Sequence, residues 1–230
     1  MTQTITTPAA FGAVRRPGTR AGAVRRPGTR ALLAAGGAAG PLFLGAGVVQ
    51  GFCRDGFDFT RNAISQLSLG DLGWIQVTSF LLTGALIIAG ATGLRRALDG
   101  AVGSRWAPRL VRVFGGSFLV AAVFKADPGA GFPVGTPNAP TAASLSWHGG
   151  VHMLSGMVGY LALCAAFFVL ARHFAARGER GWAWACRLVP VAVLAGFAAS
   201  ASAVPAFTAG AGLGLLWLTA VTTRLATRNQ

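Results

Sequence analysis

The chain has 230 residues, of which 53% are hydrophobic and only 11% charged, and its net charge is +14. A charged fraction less than half the usual value of roughly 25% excludes an ordinary soluble domain. The arginines are also segregated rather than spread over the chain, which argues against a nucleic-acid partner, the common reading of a strongly basic soluble protein.

Seventeen of the 20 basic residues fall in four clusters. These are an N-terminal group (Arg15, Arg16, Arg20, Arg25, Arg26, Arg30), a loop (Arg95, Arg96, Arg105, Arg109, Arg112), a second loop (Arg172, Arg177, Arg180, Arg187) and a C-terminal pair (Arg224, Arg228). Only Arg54, Arg61 and Lys125 lie in the alternate segments. Basic residues near span ends stay on the cytoplasmic side. The pattern therefore predicts an all-α, polytopic helix bundle in the plasma membrane, with both termini cytoplasmic. Membrane lipids are the expected partners of the arginines.

Residues 12–21 and 22–31 are the same ten residues twice, GAVRRPGTRA. Proline and glycine in each copy predict a disordered basic tail over 1–30. Such a tail either grips anionic lipid or is a tolerated expansion that strengthens the inside signal, and the second reading is favoured. It also resembles a signal-peptide n-region, but residues 31–53 are long enough to span and no clear small-residue cleavage site follows.

Six spans are expected over 31–225, at about 17–25 apolar residues per crossing, followed by a short tail at 226–230. The first lies near 31–53, the second near 73–94, the third near 110–126 and the fourth near 147–171. The fifth and sixth share 188–223, divided around Pro205 to Gly210. The third is short enough that Arg112 must snorkel. Trp74 and Trp147 fall at predicted outer ends and Trp106, Trp182 and Trp184 at inner ends, as indole rings prefer; only Trp217 lies inside a span. Gly36/Gly40, Gly47/Gly51 and Gly210/Gly214 have the small-xxx-small spacing of close helix packing, a weak argument for a homo-oligomer, which stays open. The three cysteines, Cys53, Cys164 and Cys186, form no Cys-x-x-Cys pair and read as small apolar side chains.

The unusual residues lie in the outer loops. Residues 54–72, RDGFDFTRNAISQLSLGDL, are too apolar for a plain linker. Thr60 or Asn62 is placed to cap a short helix ending at Gly70, lying at the interface or dipping between spans. The second loop, 127–146, starts at Asp127-Pro128 and runs through Gly131-Phe132-Pro133 and Thr136-Pro137-Asn138-Ala139-Pro140, a proline-rich cover with no basic residue. His148 and His152 follow at the start of the fourth span, four apart and so on one helix face. That spacing can present two imidazoles to one metal ion, with zinc the natural candidate. Asp127 stands at the same depth.

Two classes of function follow. One is a metal-assisted hydrolase acting on a lipid or envelope molecule. Asp127, His148 and His152 would hold the metal, its bound water would be the nucleophile, and Ser65 or Asn62 would steady the oxyanion. The other is a small-molecule or lipid transport or binding bundle, with a cavity opening outward beneath the 127–146 loop. The plain alternative to both is a structural polar cluster. In each case Ser65, Asp127, His148 and His152 are expected to converge into one network, since polar groups left unpaired at the edge of hydrocarbon cost several kcal/mol. No ionisable side chain other than Cys164 lies mid-span, which counts against an ion-coupled pump. No phosphate loop, nucleophile elbow or dinucleotide fingerprint is present.

The segments RNAISQLSLGDLGWIQ, FKADPGAGFPVGTP and SWHGGVHMLSG resemble the bacterial and archaeal integral membrane proteins of the domain of unknown function 998 family, over roughly residues 32–225. The matching positions are Asn62, Ile64, Ser65, Leu67, Asp127, Pro128, His148 and His152. The resemblance implies a six-helix membrane protein without implying a reaction. A more distant similarity is to the alkaline-ceramidase-like membrane hydrolases, which set Ser, Asp and His around zinc in a seven-helix bundle. Here six helices are expected, and the third histidine, His173, falls on the cytoplasmic side.

Overall fold

A computed structural model describes residues 28–137 and 145–228. The tail repeat up to Pro27, the Asn138-Ala139-Pro140 part of the second loop and the last two residues lie outside it. Among the described residues six α-helices form in chain order: α1 (Thr29–Cys53), α2 (Gly73–Ala97), α3 (Ala107–Val123), α4 (Trp147–Ala176), α5 (Arg180–Ala198) and α6 (Val204–Arg228). Short 3-10 helices occupy Ile64–Ser68 and Ala199–Ala201, and no strand occurs among the described residues. Five of the six helices are long and apolar enough to cross a membrane; α3 has 17 residues.

Each helix packs on its neighbours in the chain, and α1 closes the circle against α6. The result is a six-membered ring. Glycine sets the approach at several seams. A Cβ on Gly36 would sit 2.8 Å from the Cα of Gly90, so α1 and α2 touch backbone to backbone. Gly84 faces Gly115 between α2 and α3, and Gly196 faces Gly210 between α5 and α6. Of the six small-xxx-small glycines, Gly40 meets the carbonyl of Leu215, Gly47 meets Ile64, Gly51 meets Phe59 and Gly214 meets Leu163. The motif is consumed within one chain, as membrane helices require when close packing replaces a hydrophobic drive.

The described arginines of the four clusters, Arg30 among them, gather at one end of the ring, where Gly37 of α1 lies against Thr223 of α6 and Gly93 of α2 against Leu33. Both ends of the described chain are there. The opposite, cap end carries residues 54–72 and 124–146.

The helix boundaries correct three expectations. The third helix starts at Ala107, three residues early, because Pro108 sits in its first turn, where the missing N–H costs nothing. Arg112 bonds sideways to the Thr92 hydroxyl at 3.3 Å. The arginine-containing stretch 172–187 is largely helical and not a loop. Gly178, at φ +73°, ends α4, with the Glu179 amide donating to the Phe174 carbonyl at 2.9 Å. α5 then starts at once. The division between the last two helices falls at residues 199–203 and not at 205–210, since Pro205 also occupies a first turn, that of α6.

Candidate functional site

The two cap loops are bound to each other by a small set of polar side chains. Asn62 is fully buried. Its amide donates to the carbonyls of Gly129 (3.2 Å) and Ala130 (3.4 Å), and its Oδ1 accepts from the Asp58 amide at 3.0 Å. Gln66 donates to the Asp127 and Gly129 carbonyls at 3.3 and 3.4 Å. The short 3-10 helix Ile64–Ser68 follows Asn62 and is closed at Gly70, which takes φ +69°. Arg54, just past α1, donates to the Leu67 and Leu69 carbonyls, both at 2.6 Å, and lies over the Phe132 ring at 5.0 Å. Burial pulls its guanidinium below the usual arginine value, and Asp71 opposes that shift. Phe57 and Phe132 meet edge to face at 5.3 Å.

Beneath the cap the helices part. A cavity of about 860 Å³ opens there, and all six helices and the 3-10 segment contribute to its wall. Phe43, Phe80, Phe118 and Tyr160 form its aromatic sides; the three phenylalanines meet one another tilted or edge to face at 5.1 to 5.7 Å, and Tyr160 meets Phe197 at 5.0 Å. Leu145, Met153, Leu154 and Met157 belong both to the wall and to the exposed surface, so the cavity opens past the cap-end half of α4. Among the described residues no Asp, Glu, Lys or Arg lines it. Its polar groups are His152, Ser65, Ser117, Tyr160, Ser200 and Thr208. Two of these hydroxyls donate to backbone: Ser117 to Phe114 at 2.7 Å and Tyr160 to Ala211 at 3.1 Å.

The candidate residues read from the sequence separate into four places. Asp127 caps α4: its Oδ2 accepts from the Ser146 amide at 2.9 Å and its Oδ1 from the Ser146 hydroxyl at 2.5 Å. Ser146 in turn accepts from the Gly149 amide at 3.0 Å. A carboxylate against a helix N-terminus is favoured by the dipole and by the unpaired amides there. Gly149 leaves the room, since a Cβ on it would lie 2.0 Å from Asp127 Oδ2.

His152 is buried (7% exposed), turns to the Phe124 carbonyl at 2.8 Å from Nδ1 and meets Phe80 edge to face. His148 is exposed and stacks on Trp147 at 3.8 Å. Ser65 lines the cavity, and Asn62 is committed to the loops. Among the described residues no group of three His, Cys, Asp or Glu is placed to share a metal ion. The expected single network of Ser65, Asp127, His148 and His152 is therefore not formed. Spacing of four puts the two rings on one face, but one turns inward and the other outward, while Asp127 is held by the helix start.

Sequence reading missed Arg54 and Gln66 as fasteners of the cap. Arg54 had a signal, being one of three basic residues outside the four clusters. It also missed Gln50 and Gln76, buried and bonded to each other at 2.7 Å across α1 and α2. The cavity wall had only a faint signal, the one-turn spacing of Met153 and Met157.

An all-α ring of membrane-spanning helices with a cavity at one end defines a multi-pass membrane protein. The family model described as a protein of unknown function (DUF998) matches residues 37–224, and the chain belongs to that family. No curated protein and no solved structure matches it.

Proposed function

We propose that this protein binds an apolar or lipid-like molecule in the cap-end cavity and exchanges it with the bilayer. The cavity itself carries this reading. Its volume falls in the range of ligand pockets, about 300–1,000 Å³, and its wall is mostly aromatic and aliphatic with a few polar groups, as such sites are.

The position of the mouth supports exchange with lipid. Met153, Leu154 and Met157 are 66%, 56% and 50% exposed. At 1.5 Å per residue they lie about 9 to 15 Å along α4 from Trp147. With Trp147 at head-group level, that is the depth of hydrocarbon and not of water. Methionine at the rim adapts to varied apolar shapes.

In the same reading the arginine-rich end faces the cytoplasm of the plasma membrane, anionic lipid heads meet the arginines, and the cap faces outward. Cys53 is exposed at the cap end, and Cys164 and Cys186 are buried. An impermeant maleimide added to intact cells therefore labels Cys53, and a Gly100→Cys variant reacts only after permeabilisation. Labelling of position 100 from outside reverses the orientation.

The direct test of binding is equilibrium uptake of radiolabelled hexadecane by purified protein in detergent. Wild type takes up ligand saturably, near one per chain. Gly156→Leu, which puts a side chain into the cavity at a position with no neighbouring atom within 4 Å, weakens uptake at least tenfold. Equal, unsaturable uptake by both proteins refutes the proposal.

A further inference from the structure

The polar groups of the cavity wall restrict what the ligand's head can be. His152 is more than nine-tenths buried and forms part of the wall. Its Nδ1 lies 2.8 Å from the Phe124 carbonyl. A carbonyl only accepts, so Nδ1 carries the ring proton, and Nε2 of the neutral ring is an acceptor. The Ala121 carbonyl also bonds the ring, but a carbonyl cannot donate to an acceptor nitrogen, and no donor among the described residues bonds Nε2. Ser65 stands in the same wall from the 3-10 segment, and its hydroxyl likewise has no partner among the described residues. The Ser117 and Tyr160 hydroxyls have spent their protons on backbone carbonyls and offer lone pairs only. The wall thus offers acceptors at His152, Ser117 and Tyr160 beside the hydroxyls of Ser65, Ser200 and Thr208, and among the described residues it carries no Asp, Glu, Lys or Arg.

Each ligand class meets this wall differently. A carboxylate or phosphate head would enter a low-dielectric space with no cation to pair it, which is costly. An ammonium head would find no carboxylate, because Asp127 is held by Ser146 outside the wall. A plain hydrocarbon fits but leaves Nε2 unpaired, and an unmade bond at a buried polar atom is penalised. A head that donates a hydrogen bond and carries no charge meets every condition.

We infer that the cavity selects an uncharged, hydroxyl-bearing lipid, with His152 Nε2 accepting the hydroxyl proton and the chain lying among Phe43, Phe80 and Phe118. The inference rests on the cavity being a ligand site, and it adds the class of ligand. His152 would be a binding residue here.

Competition of hexadecanol, its methyl ether and hexadecanoate at pH 8 against radiolabelled hexadecane tests it. The ether keeps the oxygen and the chain but cannot donate. Wild type should prefer the alcohol over the ether about three- to tenfold, the worth of one hydrogen bond, and should bind the carboxylate more weakly than either. His152→Leu should erase the alcohol's advantage and leave the ether's affinity in place.

Equal affinity for alcohol and ether in wild type overturns the inference while leaving the cavity reading intact, and so does a carboxylate bound as tightly as the alcohol. Failure of hexadecane and all three competitors to bind overturns both. Should His152→Leu not fold, the wild-type comparison still decides.

Discussion

At the arginine-rich end Leu33, Leu94, Leu98, Phe167, Leu170 and Phe174 are fully closed to solvent, and Gly36 and Gly90 bring two backbones into contact. At the cap end the same six helices surround about 860 Å³ of space, with α5 and α6 still in contact at Gly196 and Gly210, and two loops roof it. The charges differ as sharply. Glu179 at the arginine-rich end is bonded by Arg177, Arg224 and Arg228 together, tying the α4–α5 turn to the end of α6. Arginine there also lies over tryptophan, as Arg224 over Trp182 and Arg187 over Trp184. Among the described residues the cavity wall has no Asp, Glu, Lys or Arg. One end holds the ring together, and the other is free to hold something else.

That contrast predicts unequal responses to the same kind of change. Gly90→Leu forces a side chain into the Cα of Gly36 and should cost about 1–3 kcal/mol or more of stability, read as thermal unfolding in detergent. Gly156→Leu projects into open space and should stay within about 0.5 kcal/mol. Equal losses for the two would mean that the ends are packed alike.

The next effect belongs to the start of α4. Asp127→Ala and Ser146→Ala should each cost about 1–2 kcal/mol, because the helix loses its cap. The double variant should fall short of the sum by at least about 0.5 kcal/mol, as for residues in one network. A strictly additive pair would place Asp127 elsewhere.

A smaller effect is expected at Glu179. Its partial burial pushes its pKa up, but hydrogen bonds and charge from Arg224 and Arg228 outweigh that and hold it below the ordinary glutamate value. A lowered folded value means that the contribution is present above the unfolded value and is lost as pH falls through the folded one. Glu179→Gln should therefore destabilise at pH 7 by no more than about 1 kcal/mol, since its arginine partners are partly exposed. The difference from wild type should vanish on acidification below the usual glutamate range. Smallest of all, a chelator should leave the melting temperature unchanged, because Asp127, His148 and His152 do not surround a common point.

The features that repeat along the chain were readable from sequence. Arginine spacing and apolar runs gave six helices and both described ends on one side, and Trp182 and Trp184 sit at the arginine-rich end as expected. What depends on how helices meet was not readable. Periodicity puts His148 and His152 on one face, yet only packing decides that Phe124 offers a carbonyl to one ring while Trp147 offers a stacking surface to the other. Asn62 and Ser65 looked equivalent, but contacts 67 and 68 residues away to Gly129 and Ala130 commit Asn62 to the cap. The cavity is shaped by all six helices, so no single stretch of sequence contains it.

The central claim is that a lipid-like molecule enters the cap-end cavity from the bilayer. Photolabelling native membranes with a diazirine-bearing long-chain alcohol, and mapping the adducts by mass spectrometry, tests it most directly. The account predicts adducts concentrated on Met153, Met157 and Phe207, and their loss on adding excess unlabelled hexadecanol. Adducts spread evenly over other exposed apolar residues such as Leu188 and Val191, undiminished by the competitor, would contradict it.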